Sequence, residues 1–62
     1  MNEIYKWVAY SEIEGDFLFT AADWPDEALN NLIRALLNRM VLVTPINNPI
    51  TARRIIMPEV KS

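Results

Sequence analysis

The chain has no cysteine, no histidine and a single glycine in 62 residues. Without cysteine no disulfide can form, and no thiolate can hold zinc or an iron–sulfur cluster. Without histidine, the commonest zinc ligand and the commonest general base are both missing. One glycine cannot build the glycine-rich loop that cradles phosphate. No run approaches the roughly 18 apolar residues of a membrane span. The opening Met1-Asn2-Glu3-Ile4-Tyr5-Lys6 lacks the basic and then apolar regions of an export signal. The expectation is a soluble, cytoplasmic protein without metal or cofactor.

What is present is apolar. The AVILMFWYC residues make up 52% of the chain, too much for a disordered polypeptide and suited to one small folded domain over residues 1–62. A chain of this length sits near the lower size limit for folding alone. With disulfides and thiolate metal sites excluded, a second subunit or a binding partner is the remaining supplement to its core.

The net charge of −2 is unevenly spread. Residues 1–27 hold seven acids against Lys6, whereas residues 28–62 hold five bases against Glu59. Two readings stay open: the halves neutralise each other on folding, or a bipolar surface steers the protein onto a charged partner. A pI near 4.8 argues against a general nucleic-acid binder.

Residues 3–11 are rich in aromatic and β-branched types and predict a strand. The stretch Glu12-Ile13-Glu14-Gly15-Asp16 predicts a hairpin turn, and a second strand is expected from Asp16 to Ala21. Leu29, Leu32, Ile33, Leu36, Leu37 and Met40 recur at helical spacing. The helix should open at Asp23-Trp24-Pro25-Asp26-Glu27, with Asp23 or Trp24 at the cap position and Pro25 in the first turn. Trp24 is expected to staple that turn to the helix. Met40 to Thr44 reads as a strand, with a helical extension through Leu42 as the alternative. A Pro- and Asn-rich loop follows, and Thr51 to Met57 predicts the last strand.

The fold class is therefore α+β: an antiparallel sheet of three to four strands, β-β-α-β or β-β-α-β-β, with one amphipathic helix on one face. One helix covers one face only. The other face is expected to show part of Tyr5, Trp7, Phe17, Phe19 and Ile55, or their alternates, and so to form an interface.

Catalytic chemistry finds little material. Ser11, Ser62, Thr20, Thr44 and Thr51 are the only hydroxyl nucleophiles of their types, and none has a histidine base. Glu12, Glu14 and Asp16 fall on the hairpin tip and read as a solvated turn, with a divalent-cation site as the alternative. Binding finds more. Tyr5 and Trp7 belong to the residue types that dominate interface energies when they project from a surface. Adjacent Arg53 and Arg54 must point to opposite faces of their strand. One is expected to pair with a helix carboxylate such as Glu27, leaving the other for solvent or a partner.

Lys6-Trp7-Val8-Ala9, followed by an acidic hairpin, a second strand and Ala22-Asp23-Trp24-Pro25-Asp26-Glu27-Ala28-Leu29, resembles the small acidic RNA polymerase inhibitors of short-tailed bacteriophages. Those also run strand, strand, a helix opening with Asp-Glu-Ala-Leu, and a strand carrying Thr and two close arginines, here Thr51-Ala52-Arg53-Arg54. The apolar helix is longer here, and a Val-rich segment and a Pro-Asn loop precede the last strand. The resemblance implies a non-catalytic phage or mobile-element protein that occupies a host protein surface, RNA polymerase among the targets. Arg53, Arg54, Glu12, Glu14 and Asp16 would be its contacts. Antitoxin-like regulators of the HicB type share the strand-pair-then-helix logic but carry a third strand and a Pro-Gly turn not found here. A self-assembling homodimer, pairing its exposed sheet face or its Met40–Thr44 strand, is the alternative from a different class.

Overall fold

The structure, a computed structural model, describes residues 3–58. Strands β1 (Tyr5–Ser11), β2 (Gly15–Ala22) and β3 (Thr51–Ile56) form one antiparallel sheet in the order β2-β1-β3, and helix α1 (Pro25–Leu37) lies between β2 and β3 in sequence. Because β2 and β3 occupy opposite edges, the helix and the segment after it carry the chain across the sheet. The expected β-β-α-β order is what forms.

The β1–β2 hairpin turns on Gly15, whose φ of 81° lies in the left-handed region that a side chain would resist. Its ladder is irregular. Ala9 faces Phe17, but Trp7, two residues away, faces Ala22, five residues away, so β2 accommodates three extra residues. Thr20 fills that bulge and is fully buried. Its hydroxyl accepts from the Ala9 N–H at 2.8 Å and donates to the Phe17 carbonyl at 2.6 Å, restoring bonds that the ladder loses there. The Asn31 amide on α1 donates to the Thr20 carbonyl at 3.0 Å and ties the helix to the bulge.

Cross-strand partners share a face, so Trp7, Ala9, Phe17, Ala52 and Arg54 lie on one side, and Val8, Tyr10, Asp16 and Arg53 on the other. Ala9, Phe17 and Leu32 form the core cluster, which places α1 on the first side. Phe17 is therefore core, and Tyr5 and Trp7 share the helix side of the sheet. The helix turns Ala28, Leu32 and Ala35 inward and leaves Asp26, Asn30, Ile33 and Leu37 exposed. Its apolar arc is wider than one sheet face can cover. Fully burying a side chain such as Leu32 stabilises by about 1.5–3 kcal/mol.

Of the two cap positions left open, Trp24 is the one taken, without a side-chain hydrogen bond, and the Asp23 carboxylate pairs with Lys6. Three expectations are corrected. Trp24 does not staple the turn, since it is 66% exposed. The helix ends at Leu37, short of Met40, in a Schellman reversal: the Arg39 N–H donates to the Leu36 carbonyl and the Met40 N–H to the Ala35 carbonyl. Arg39 takes φ 56° there, where glycine is usual. Finally, residues 41–45 form neither strand nor helical extension. The segment joins neither outer edge of the sheet and lies instead along the core, with Val41 and Val43 packed against it.

Candidate functional site

The sheet face without a helix carries a clamp that spans all three strands. The Arg53 guanidinium on β3 lies 4.1 Å from the centre of the Tyr10 ring on β1. From there it grips Asp16 on β2 through two parallel bonds, Nε to Oδ1 at 2.7 Å and Nη2 to Oδ2 at 2.8 Å. Hydrogen bonding to Asp16 raises the Arg53 pKa further above its ordinary value. The expected pairing of one arginine with Glu27 does not form: Arg53 lies on the face away from the helix and binds Asp16, and Arg54, on the helix face, stacks over Tyr5. Two of the five guanidinium N–H donors are used on Asp16, and the Arg53 side chain is half-exposed. Val8 is fully buried on this face, with Lys6 and Tyr10 beside it along the strand and Arg53 opposite it in register. Long polar side chains can cover apolar surface in this way.

Arg54, on the opposite side, stacks over Tyr5 with 4.7 Å from guanidinium to ring centre. The Tyr5 hydroxyl donates to Glu3 at 2.9 Å. Trp7 faces Arg54 in register and is half-buried. The candidate residues thus divide into an Arg53–Asp16 group and an Arg54–Tyr5–Trp7 group on opposite faces.

Glu14 belongs to neither group. Its carboxylate accepts from the Ser11 hydroxyl at 2.8 Å, the Thr44 N–H at 2.9 Å and the Asn48 amide at 2.7 Å. The Thr44 backbone bond is the main cause, with Ser11 and Asn48 adding to it, of a Glu14 pKa lowered from 4.5 to about 2. The Asn48 amide also donates to the Thr44 carbonyl at 2.9 Å. The hairpin tip is therefore a clasp that fixes the long connection between α1 and β3. Glu12, next to it, is exposed and lines an open notch of about 300 Å³ together with Tyr10, Ile13, Asn48 and Pro49. Among the described residues no group of three or more His, Asp or Glu is placed to hold a metal ion, so the hairpin acids do not assemble a cation site.

The least covered apolar side chains lie elsewhere: Trp24 at 66%, Leu37 and Met40 at 78% each, Ile46 at 74% and Leu42 at 88% exposed. Sequence reasoning took Trp24, Leu37 and Met40 as structural. A helix whose apolar residues outnumber what one sheet face can accept was the available signal for Leu37. Tyr10 as a cation platform and Asn48 as a clasp partner carried no local signal. No helix among the described residues is long and apolar enough to cross a membrane. No family model, curated protein or solved structure matches the chain.

Proposed function

We propose that this chain is a non-catalytic interaction module, encoded by a phage or mobile element, that binds and inhibits a host protein. RNA polymerase is the first target to test, because the resemblance of the strand pair, the Asp-Glu-Ala-Leu helix opening and the Thr-Ala-Arg-Arg strand points to it. The observation that carries the reading is the imbalance of apolar surface. Among the described residues, Val8, Ala9, Phe17, Ala28, Leu32 and Ala35 are the buried apolar ones, three of them alanine, whereas Trp24, Leu37, Met40, Leu42 and Ile46 are 66–88% exposed. Large exposed apolar residues rimmed by charge are the composition of binding surfaces.

The test is binding of the purified protein to purified bacterial RNA polymerase, read by co-elution and by run-off transcription. Co-elution with loss of transcript is expected. Trp24→Ala with Arg54→Glu should leave the circular dichroism spectrum unchanged and weaken binding at least tenfold. Arg54 is a cleaner choice than Arg53, whose replacement by Glu would oppose Asp16 and strain the sheet. No binding at about 50 μM would remove polymerase as the target.

A second reading, self-association, is favoured by a separate observation. Among the described residues, the apolar segment after the Schellman reversal forms no backbone hydrogen bond at Val41, Leu42 or Val43.

A further inference from the structure

We propose that Met40–Thr44 is a pre-extended strand that pairs antiparallel with the same segment of a second copy, on a dyad through Leu42; this rests on the self-association reading. Burial alternates along the segment: Val41 and Val43 are half-buried against the core, whereas Met40, Leu42 and Thr44 are exposed. A period of two is the mark of an extended chain. In such a chain successive residues direct their N–H and C=O groups to opposite edges. Thr44 directs both of its groups at the hairpin clasp, its N–H to Glu14 and its carbonyl to Asn48. Leu42, two residues earlier, shares that inner edge. Val41 and Val43 therefore present their backbone groups on the outer edge.

A dyad at Leu42 uses that edge fully. Val41 faces Val43 of the second copy and Val43 faces its Val41, each as a pair that exchanges both N–H···O=C bonds. Leu42 then falls on the closely spaced pair without hydrogen bonds, with Cα atoms about 4.5 Å apart and side chains in contact. The Val-Leu-Val sequence is symmetric about this point, so the second copy is the strand that matches it residue for residue. No residue from Met40 to Ala52 is charged, so the pairing meets no like-charge repulsion. The Glu14 clasp holds the segment in place beforehand, which lowers the ordering cost of association. A two-stranded ribbon is marginal on its own, so the contact should be weak, in the micromolar range, and concentration-dependent.

The absence of cysteine gives a direct test. In Leu42→Cys the new thiol lies on the dyad, within disulfide reach of its copy. Because Leu42 is 88% exposed, the substitution should leave the monomer fold unchanged. Under mild oxidation Leu42→Cys should form a covalent dimer at least tenfold faster than Leu37→Cys or Ile46→Cys. Glu14→Ala in the Leu42→Cys background should slow that step. Sedimentation of the unmodified chain should show a dimer appearing as concentration rises. Equal cross-linking rates at the three positions would overturn this register; with a dimer still present, self-association would survive it. A monomer at every concentration would overturn both, and neither result bears on binding to polymerase.

Discussion

The sheet and the connection after the helix treat the same kinds of group in opposite ways. In the sheet, the broken ladder at the β2 bulge is repaired by Thr20 and Asn31, and Arg53 closes over Tyr10 onto Asp16. Between Leu37 and Ile46, apolar side chains stand in solvent, and three consecutive residues form no backbone hydrogen bond among the described residues. In the first region the chain supplies partners for the groups its irregular ladder leaves over. The other is ordered by a clasp at Glu14 yet left open on its outer side.

Substitutions can break that comparison. The largest contrast should come from Leu32→Ala against Leu42→Ala. The first empties a core position that is 2% exposed and should cost about 2–5 kcal/mol in a urea melt. The second removes an exposed side chain and should change stability by less than about 0.5 kcal/mol at monomeric concentrations. A large loss from Leu42→Ala would show that the open region is core after all.

Thr20→Val keeps the volume but strands the Ala9 N–H and the Phe17 carbonyl inside the bulge. It should cost about 1–3 kcal/mol by the same melt, and a neutral result would mean that the bulge has another source of order. Arg39→Gly should act in the other direction. Glycine at φ 56° removes the steric cost of a side chain at the helix C-terminus, and the melting midpoint should rise by about 0.5–1 kcal/mol equivalent.

The smallest effect on global stability, and the most local, should come from pH. Glu14 has a folded pKa lowered to about 2 from 4.5, so its contribution is present above pH 4.5 and is lost as pH falls from there toward 2. The Thr44 amide proton should titrate with a midpoint near the lower value by NMR, and that titration should vanish in Glu14→Gln. A midpoint near 4.5 would mean that the clasp is open in solution.

Much of the fold was legible in local pattern. The alternating aromatic and β-branched residues of β1, the lone glycine of the hairpin, and the 3.6-residue apolar spacing of α1 each act over a few neighbouring residues. That short range is why they could be read without a structure. The same holds for the opposite facing of Arg53 and Arg54, which follows from strand geometry alone. The candidate site was less legible. Asp23 is a good cap by type, but Lys6, 17 residues away, offered its carboxylate a charge partner. Trp24 beside Pro25 has the form of a staple but ends in solvent.

Composition and periodicity determined that this chain is a small α+β protein without thiol, imidazole or glycine-loop chemistry. They determined as well that its apolar content exceeds what one helix and one sheet face can hide. Only the tertiary structure decided where the excess lies. The segment Met40–Thr44 has the β-branched residues of a strand, but Val41 and Val43 pack against the core and the Thr44 N–H is held by Glu14, so the segment joins neither outer edge of the sheet. Which face Arg53 shares with Asp16, and that Glu14 anchors a loop 30 residues away, likewise depend on register and chain crossing, and no local preference encodes either.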